Sequence, residues 1–222
     1  MATTTGIKPL ILEMDANGSP FIVHAALLWD ENEVILVDTG IPGQLDVIRK
    51  ALAEAGFPFE KLTKIIITHH DMDHIGSLPD LVHASEGRIK VLAHELAKPY
   101  ILGEVPTLKS KKIVPPTKVD VTIQDGDMLP DCGGIQVIYT PGHTPDHISL
   151  YHVPSKTLIS GDALTSSGGV LNSPDPSYTL DMPTALKSVA KLLEFDIETV
   201  ITYHGGVCTD NIKDRLAVIA KG

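Results

Sequence analysis

The spacing of apolar and polar positions predicts strands at 7–14, 21–29 and 33–38, with Asn17-Gly18 as a hairpin turn signal between the first two. Between 44 and 55 the period changes: Leu45, Ile48, Leu52 and Ala55 recur at helical intervals, and Gly56 is placed to end the helix. Ile65, Ile66 and Ile67 make a run too short for a helix and too continuous for a half-exposed strand, so a core strand is expected there. Helices follow near 77–86 and 94–102 around a strand at 89–93, and the Pro-containing stretch 103–117 reads as a long connection overhanging the end of that core strand. Later strands are expected near 119–124, 135–140, 147–152 and 157–161, then an irregular Ser-, Gly- and Pro-rich stretch at 163–182. Leu186, Val189, Ala190 and Leu193 mark an amphipathic helix, 197–203 a last strand, and Ile212, Leu216 and Ile219 the apolar side of a closing helix after Thr209-Asp210. Periodicity alone gives a mixed α/β class with no close internal repeat.

The chemistry sits just beyond the short apolar run. Residues 65–77 read Ile-Ile-Ile-Thr-His-His-Asp-Met-Asp-His-Ile-Gly-Ser, which presents three histidines and two aspartates at the end of a rigid strand. Neutral imidazole and carboxylate are the donors of hydrolytic metal sites, and their density from His69 to His74 disfavours a polar turn with incidental histidines. Asp71 and His70 compete for one place in such a site. Side chains leaving a strand alternate, so positions 69, 71 and 73 share a side, and this favours Asp71.

With these residues in view, the chain resembles the metallo-β-lactamase superfamily, whose signature is His-x-His-x-Asp-His at the end of a core strand. Aligning the signature on Asp73-His74 makes His69 the first ligand and leaves one departure, Asp71 in place of the second histidine. Further candidates follow in the family's order: His143 in Tyr-Thr-Pro-Gly-His-Thr-Pro, Asp162 in Ile-Ser-Gly-Asp, and His204 in Thr-Tyr-His-Gly-Gly, with Val37-Asp38-Thr39-Gly40 upstream. The resemblance implies an αββα sandwich formed by a single domain over residues 1–222. It also implies two divalent metal ions, one held by His69, Asp71 and His143 and the other by Asp73, His74 and His204, with Asp162 bridging. Zinc is expected first, and the oxygen donor of Asp71 makes manganese or iron more competitive. Asp38 is expected to orient a ligand by hydrogen bond, and His147 to be structural or to support a ligand. His24, His83, His94 and His152 are expected to be structural or surface residues.

Composition narrows the function. A formal charge of −10 argues against wrapping nucleic acid or adhering to acidic membranes, and Lys109-Ser-Lys111-Lys112 reads as a solvated loop face. The two cysteines, Cys132 and Cys208, have no Cys-x-x-Cys spacing and are expected to be reduced. No apolar run approaches the roughly 20 residues of a membrane span, and the start, Met-Ala-Thr-Thr-Thr-Gly, lacks the zones of a secretion signal, so a cytoplasmic location is expected.

The expected activity is hydrolysis of a small ester-like substrate, a lactone, thioester or phosphoester, by a metal-activated hydroxide at a dinuclear centre. Asp73 is the candidate to carry a proton for the leaving group. Tyr178, in the irregular stretch, is the candidate to donate to a substrate oxygen. Asp162 resembles the hydroxyacyl and lactone hydrolases more than the β-lactamase branch, which places cysteine there. The competing readings are a diiron redox protein lacking its flavin domain and a non-catalytic metal-binding sensor. Oligomeric state is left open by the sequence.

Overall fold

The computed structural model describes residues 5–16 and 18–222, which form two compact units divided between Ile123 and Gln124. The first carries a six-stranded sheet in chain order: β1 (Gly6–Ala16), β2 (Ser19–Trp29), β3 (Val34–Val37), β4 (Lys64–Ile67), β5 (Lys90–His94) and β6 (Val121–Ile123). β1, β2 and β3 pair antiparallel, whereas β3 to β6 run parallel. The parallel strands are joined by helical crossovers: α1 (Leu45–Glu54) between β3 and β4, then α2 (Met72–Ile75) and α3 (Leu78–Ala84) before β5. Every residue of β3 and all three isoleucines of β4 are buried, as expected for strands covered on both faces.

α1 forms where predicted, burying Ile48 and Leu52, and Gly56 takes the left-handed φ of 91° that ends it. The hairpin β1/β2 also forms, although Asn17 of its predicted turn lies outside the described residues, as do the first four residues of the chain. The helix predicted over 94–102 is broken. His94 belongs to β5, a 3-10 turn covers Glu95–Ala97, and only α4 (Lys98–Ile101) is α-helical. The His94 ring, accepting from the Leu96 backbone N–H at 3.3 Å, caps that turn.

The second unit carries β7 (Met128–Leu129), β8 (Ile135–Tyr139), β9 (Ile148–His152), β10 (Thr157–Gly161), β11 (Thr165–Ser167), β12 (Val170–Asn172), α5 (Met182–Leu192), β13 (Thr199–Thr202), β14 (Gly206–Cys208) and α6 (Ile212–Ile219). Six strands form one sheet, β14-β13-β10-β9-β8-β7, in which β10 and β13 are the parallel pair. β11 and β12 form a separate hairpin inside the stretch expected to be irregular, and like β7 and β14 they are too short to show a period. Val189 and Leu192 of α5 pack with Leu216 and Ile219 of α6, Leu158 of β10 and Val200 of β13 in one cluster. At about 1.5–3 kcal/mol per fully buried aliphatic side chain, this cluster anchors the strands that carry Asp162 and His204.

Among the described residues no helix is long and apolar enough to cross a membrane. Cys132 and Cys208 are both buried, and burial pushes the Cys208 thiol up from its ordinary pKa. We expect neither thiol to react with Ellman's reagent in the native chain and both to react after denaturation. Rapid native labelling would show that the second unit opens locally.

Candidate metal centre

In the first unit the donor residues leave the carboxyl ends of two adjacent parallel strands, β3 and β4. Beyond β3, Asp38 adopts a left-handed φ of 65° and turns its carboxylate toward the end of β4. Its Oδ1 accepts from the Thr68 backbone N–H at 2.8 Å, and its Oδ2 accepts from the Thr68 hydroxyl at 2.7 Å and faces His74 Nδ1 at 2.8 Å. A carboxylate only accepts, so His74 carries its proton on Nδ1, which directs the lone pair of Nε2 outward for a metal. The Thr68 hydroxyl, already donating to Asp38, accepts from His69 Nδ1 at 3.0 Å and sets the same tautomer on His69.

Past His70 the chain enters α2, a single turn with Asp71 at its N-cap, Asp73 in its first turn and His74 near its end. His69 Nε2 lies 3.2 Å from Asp71 Oδ2, and His74 Nε2 lies 3.8 Å from Asp73 Oδ2. The loop after β3 is fastened to α2: the backbone N–H and the hydroxyl of Thr39 both donate to the His74 carbonyl at 2.8 Å.

The second unit repeats this logic on its own parallel pair, with Asp162 following β10 and His204 following β13. Asp162 Oδ2 lies 3.2 Å from His143 Nε2 and 3.4 Å from His204 Nε2, so two imidazoles converge on one carboxylate oxygen. The Asp162 backbone N–H donates to His147 Nε2 at 3.0 Å. His147 therefore holds its proton on Nδ1, 2.9 Å from Thr140 Oγ1, and the chain of hydroxyls continues through Ser149 to the Ser160 carbonyl. With both ring nitrogens engaged, His147 positions Asp162. Gly142, at φ 132°, lets His143 approach: a Cβ there would collide with the Ala185 backbone at the start of α5. The opening of α5 is fixed by Asp181, whose carboxylate accepts from the Thr184 N–H and hydroxyl, bonds that hold its pKa below the usual value.

The donor chemistry suits metal. Two ligand atoms on one tetrahedral ion with bonds of about 2.0–2.1 Å stand about 3.3 Å apart. The His69–Asp71, His143–Asp162 and His204–Asp162 pairs have that spacing, 3.2, 3.2 and 3.4 Å. His69, Asp73, His74, His143, Asp162 and His204 are the side chains whose donor atoms fall into three-donor groups. Asp71 is not among these six, and its Oδ2 lies 2.5 Å from Lys109 Nζ.

The sequence model of the metallo-β-lactamase superfamily matches residues 18–204. The chain belongs to this superfamily. The superfamily consists of metal-dependent hydrolases in which zinc is the usual ion. Probable metallo-hydrolase YflN of Bacillus subtilis strain 168 is 29% identical over 206 residues, covering 79% of this chain and 76% of that protein. A hydroxyacylglutathione hydrolase of Idiomarina loihiensis is 34% identical over 141 residues, 63% of this chain and 45% of that protein, so the match spans about half its length. Among solved structures, the metallo-β-lactamase family protein TTHA1429 of Thermus thermophilus gives a TM-score of 0.76 at 24% identity over 97% of this chain and 78% of that one. The α/β fold is thus the metallo-β-lactamase fold.

Against this metallo-β-lactamase framework, several side chains differ from their sequence reading. Strand alternation does not separate Asp71 from His70, because β4 ends at Ile67. His70 instead stacks on Tyr100, centroids 3.8 Å apart at 11°, and accepts from the Leu108 N–H, while Asp71 is the residue beside His69. Lys109 is not part of a solvated face: its side chain is only 22% exposed and pairs with Asp71, whereas Lys111 and Lys112 are exposed. Asp38 takes the orienting role expected of it. Tyr178 lies in the turn after Asp175 and is 64% exposed. Thr68, Thr140 and Ser149 had no sequence signal beyond adjacency to the motifs.

Replacing Asp38 by Ala strands the Thr68 N–H and His74 Nδ1 in the interior. We expect a stability loss of about 1–3 kcal/mol and metal affinity lower by about 10–100-fold, read by thermal melting and chelator competition. Asp38→Asn, which tolerates the left-handed backbone, should fall between. Unchanged affinity in Asp38→Ala would remove Asp38 from its orienting role.

Proposed function

We propose that this chain is a dinuclear hydrolase of a small ester-like substrate. The observation that carries the reading is the convergence of His143 and His204 on a single oxygen of Asp162, the arrangement needed of a carboxylate shared by two ions. In this reading His69, Asp71 and His143 hold one ion, Asp73, His74 and His204 the other, and Asp162 both. The family match, running from residue 18 to residue 204, includes every one of these residues and supports the reading. Zinc is the first expectation, with manganese or iron as competitors because three of the donors are carboxylates. Such a pair of ions supplies an activated water nucleophile and polarises the substrate oxygen.

The chain's own side chains do the rest. The carboxylate of Asp38 and the hydroxyl of Thr68 hold His74 and His69 in the tautomers that leave Nε2 as donor. Asp73, with 25% of its side chain exposed, is the accessible carboxylate and is suited to carry a proton toward the leaving group. Tyr178 places a phenol in solvent reach, where it can donate to a substrate oxygen. Within the open classes of lactone, thioester and phosphoester, similarity to hydroxyacylglutathione hydrolases at 32–34% identity supports the thioester. The formal charge of −10 supports a small-molecule substrate rather than nucleic acid or a membrane surface.

The test is metal reconstitution followed by a panel of lactones, thioesters and phosphoesters, with elemental analysis alongside. Expected are about two ions per chain, metal-dependent acid release, and a loss of more than about 100-fold in Asp162→Ala with the fold retained by circular dichroism. Full hydrolysis with a single ion under metal excess would overturn the dinuclear mechanism. Oxygen consumption with an electron donor, without acid release, would replace hydrolysis by the redox reading.

A further inference from the structure

The connection between α4 and β6 is latched to the metal-ligand motif at two successive residues on each side. The Leu108 N–H donates to His70 Nε2 at 3.2 Å, and Lys109 reaches Asp71 Oδ2. The latch is built rather than draped. The Thr107 N–H donates to the Lys112 carbonyl at 2.9 Å, the Lys111 N–H to the Thr107 carbonyl at 3.1 Å, and the Thr107 and Ser110 hydroxyls meet at 2.5 Å. Lys111 takes a left-handed φ of 56° to close the turn. The loop therefore presents Lys109 to Asp71 in a defined pose, and the carboxylate, only 9% exposed, feels the ammonium with less screening than a surface pair would.

This pairing falls on the one ligand position where the sequence departs from the family signature. Asp71 Oδ2 is also the oxygen that faces His69 Nε2 at 3.2 Å, so an ammonium and a divalent ion seek the same atom. The two cations repel one another at that range, and each stabilises the carboxylate the other needs. We propose that Lys109 is a positioning residue that competes with metal for Asp71. It holds the carboxylate in place before the ion beside His69 binds, weakens that ion selectively, and makes the two ions load one after the other. This inference rests on the dinuclear reading above, but its test does not depend on the substrate.

The experiment is titration of the metal-stripped chain with zinc and with manganese against a chromophoric chelator, with elemental analysis of ions retained. Wild type should show one tight and one weaker ion. Lys109→Met should tighten the weaker ion by at least about tenfold and leave the tighter one within about twofold, since it removes the ammonium that competes with that ion at Asp71 Oδ2. Lys109→Arg, which keeps the charge, should resemble wild type, and adding Asp71→Asn to Lys109→Met should abolish the gain. Lys109→Gln gives the same comparison should the Met variant lose its fold by circular dichroism. Equal affinities in wild type and the neutral variants overturn the proposal, and a weaker second ion in those variants does so too, because Lys109 would then assist metal binding. A single ion in every variant overturns this inference together with the dinuclear reading. A tightened second ion without hydrolysis of any ester would uphold Lys109 as competitor and remove the ester reading alone.

Discussion

The buried carboxylate of Asp38 is the constraint on which the first half of the site depends. An ionised carboxylate in the interior is costly unless its lone pairs are taken, and here the Thr68 N–H, the Thr68 hydroxyl and His74 Nδ1 take them. Those bonds tie the end of β3 to the end of β4 and to the single turn of α2. The same bonds decide where protons sit. With Asp38 accepting from Thr68, Thr68 must accept from His69, so one anion sets the tautomers of two histidines, whose rings also lie against each other with centroids 3.9 Å apart.

The second unit solves the same problem with neutral groups. His147, Thr140 and Ser149 form a one-directional run of hydrogen bonds that ends on the Ser160 carbonyl and begins at the backbone of Asp162. Each unit uses the ends of one adjacent parallel pair, β3/β4 or β10/β13, to place its donors. Parallel neighbours end side by side, so residues that follow them emerge close together without a long supporting loop. The glycine at 142 serves this end in a different way, giving up a side chain so that the turn bearing His143 can rest on α5.

Much of this was legible in the sequence because long, buried elements leave a strong period. The isoleucines of β4, the α1 and α5 helices and the closing helix all show it, and the dense motif after β4 declares its chemistry by composition. β7, β11, β12 and β14, of two or three residues each, leave no period to read, whereas β6, equally short, lies within the predicted run 119–124. The break at Glu95–Ala97 was hidden by apolar spacing that looks helical through Ala97 and Ile101, although the His94 ring caps a 3-10 turn there. The preference for Asp71 over His70 rested on strand alternation that the chain abandons at Thr68; what separates the two residues is the docking of His70 onto Tyr100 and Leu108.

The burial of Lys109 leaves no local trace in the sequence. A charge run reads as solvated when its partner is remote in sequence, and Asp71 lies 38 residues away. The partner follows from the substitution itself. Putting a carboxylate where the family signature has an imidazole adds a negative charge two residues before Asp73, in a place where Asp71 is only 7% exposed. An imidazole there can remain neutral without metal, but a carboxylate in so enclosed a position needs a cation at all times. A lysine delivered by a rigid turn meets that need in the metal-free chain, and the divalent ion meets it in the loaded one. The aspartate and the lysine are therefore one feature, and a chain that kept Asp71 while losing Lys109 would lose the cation that meets Asp71 Oδ2 in the metal-free chain.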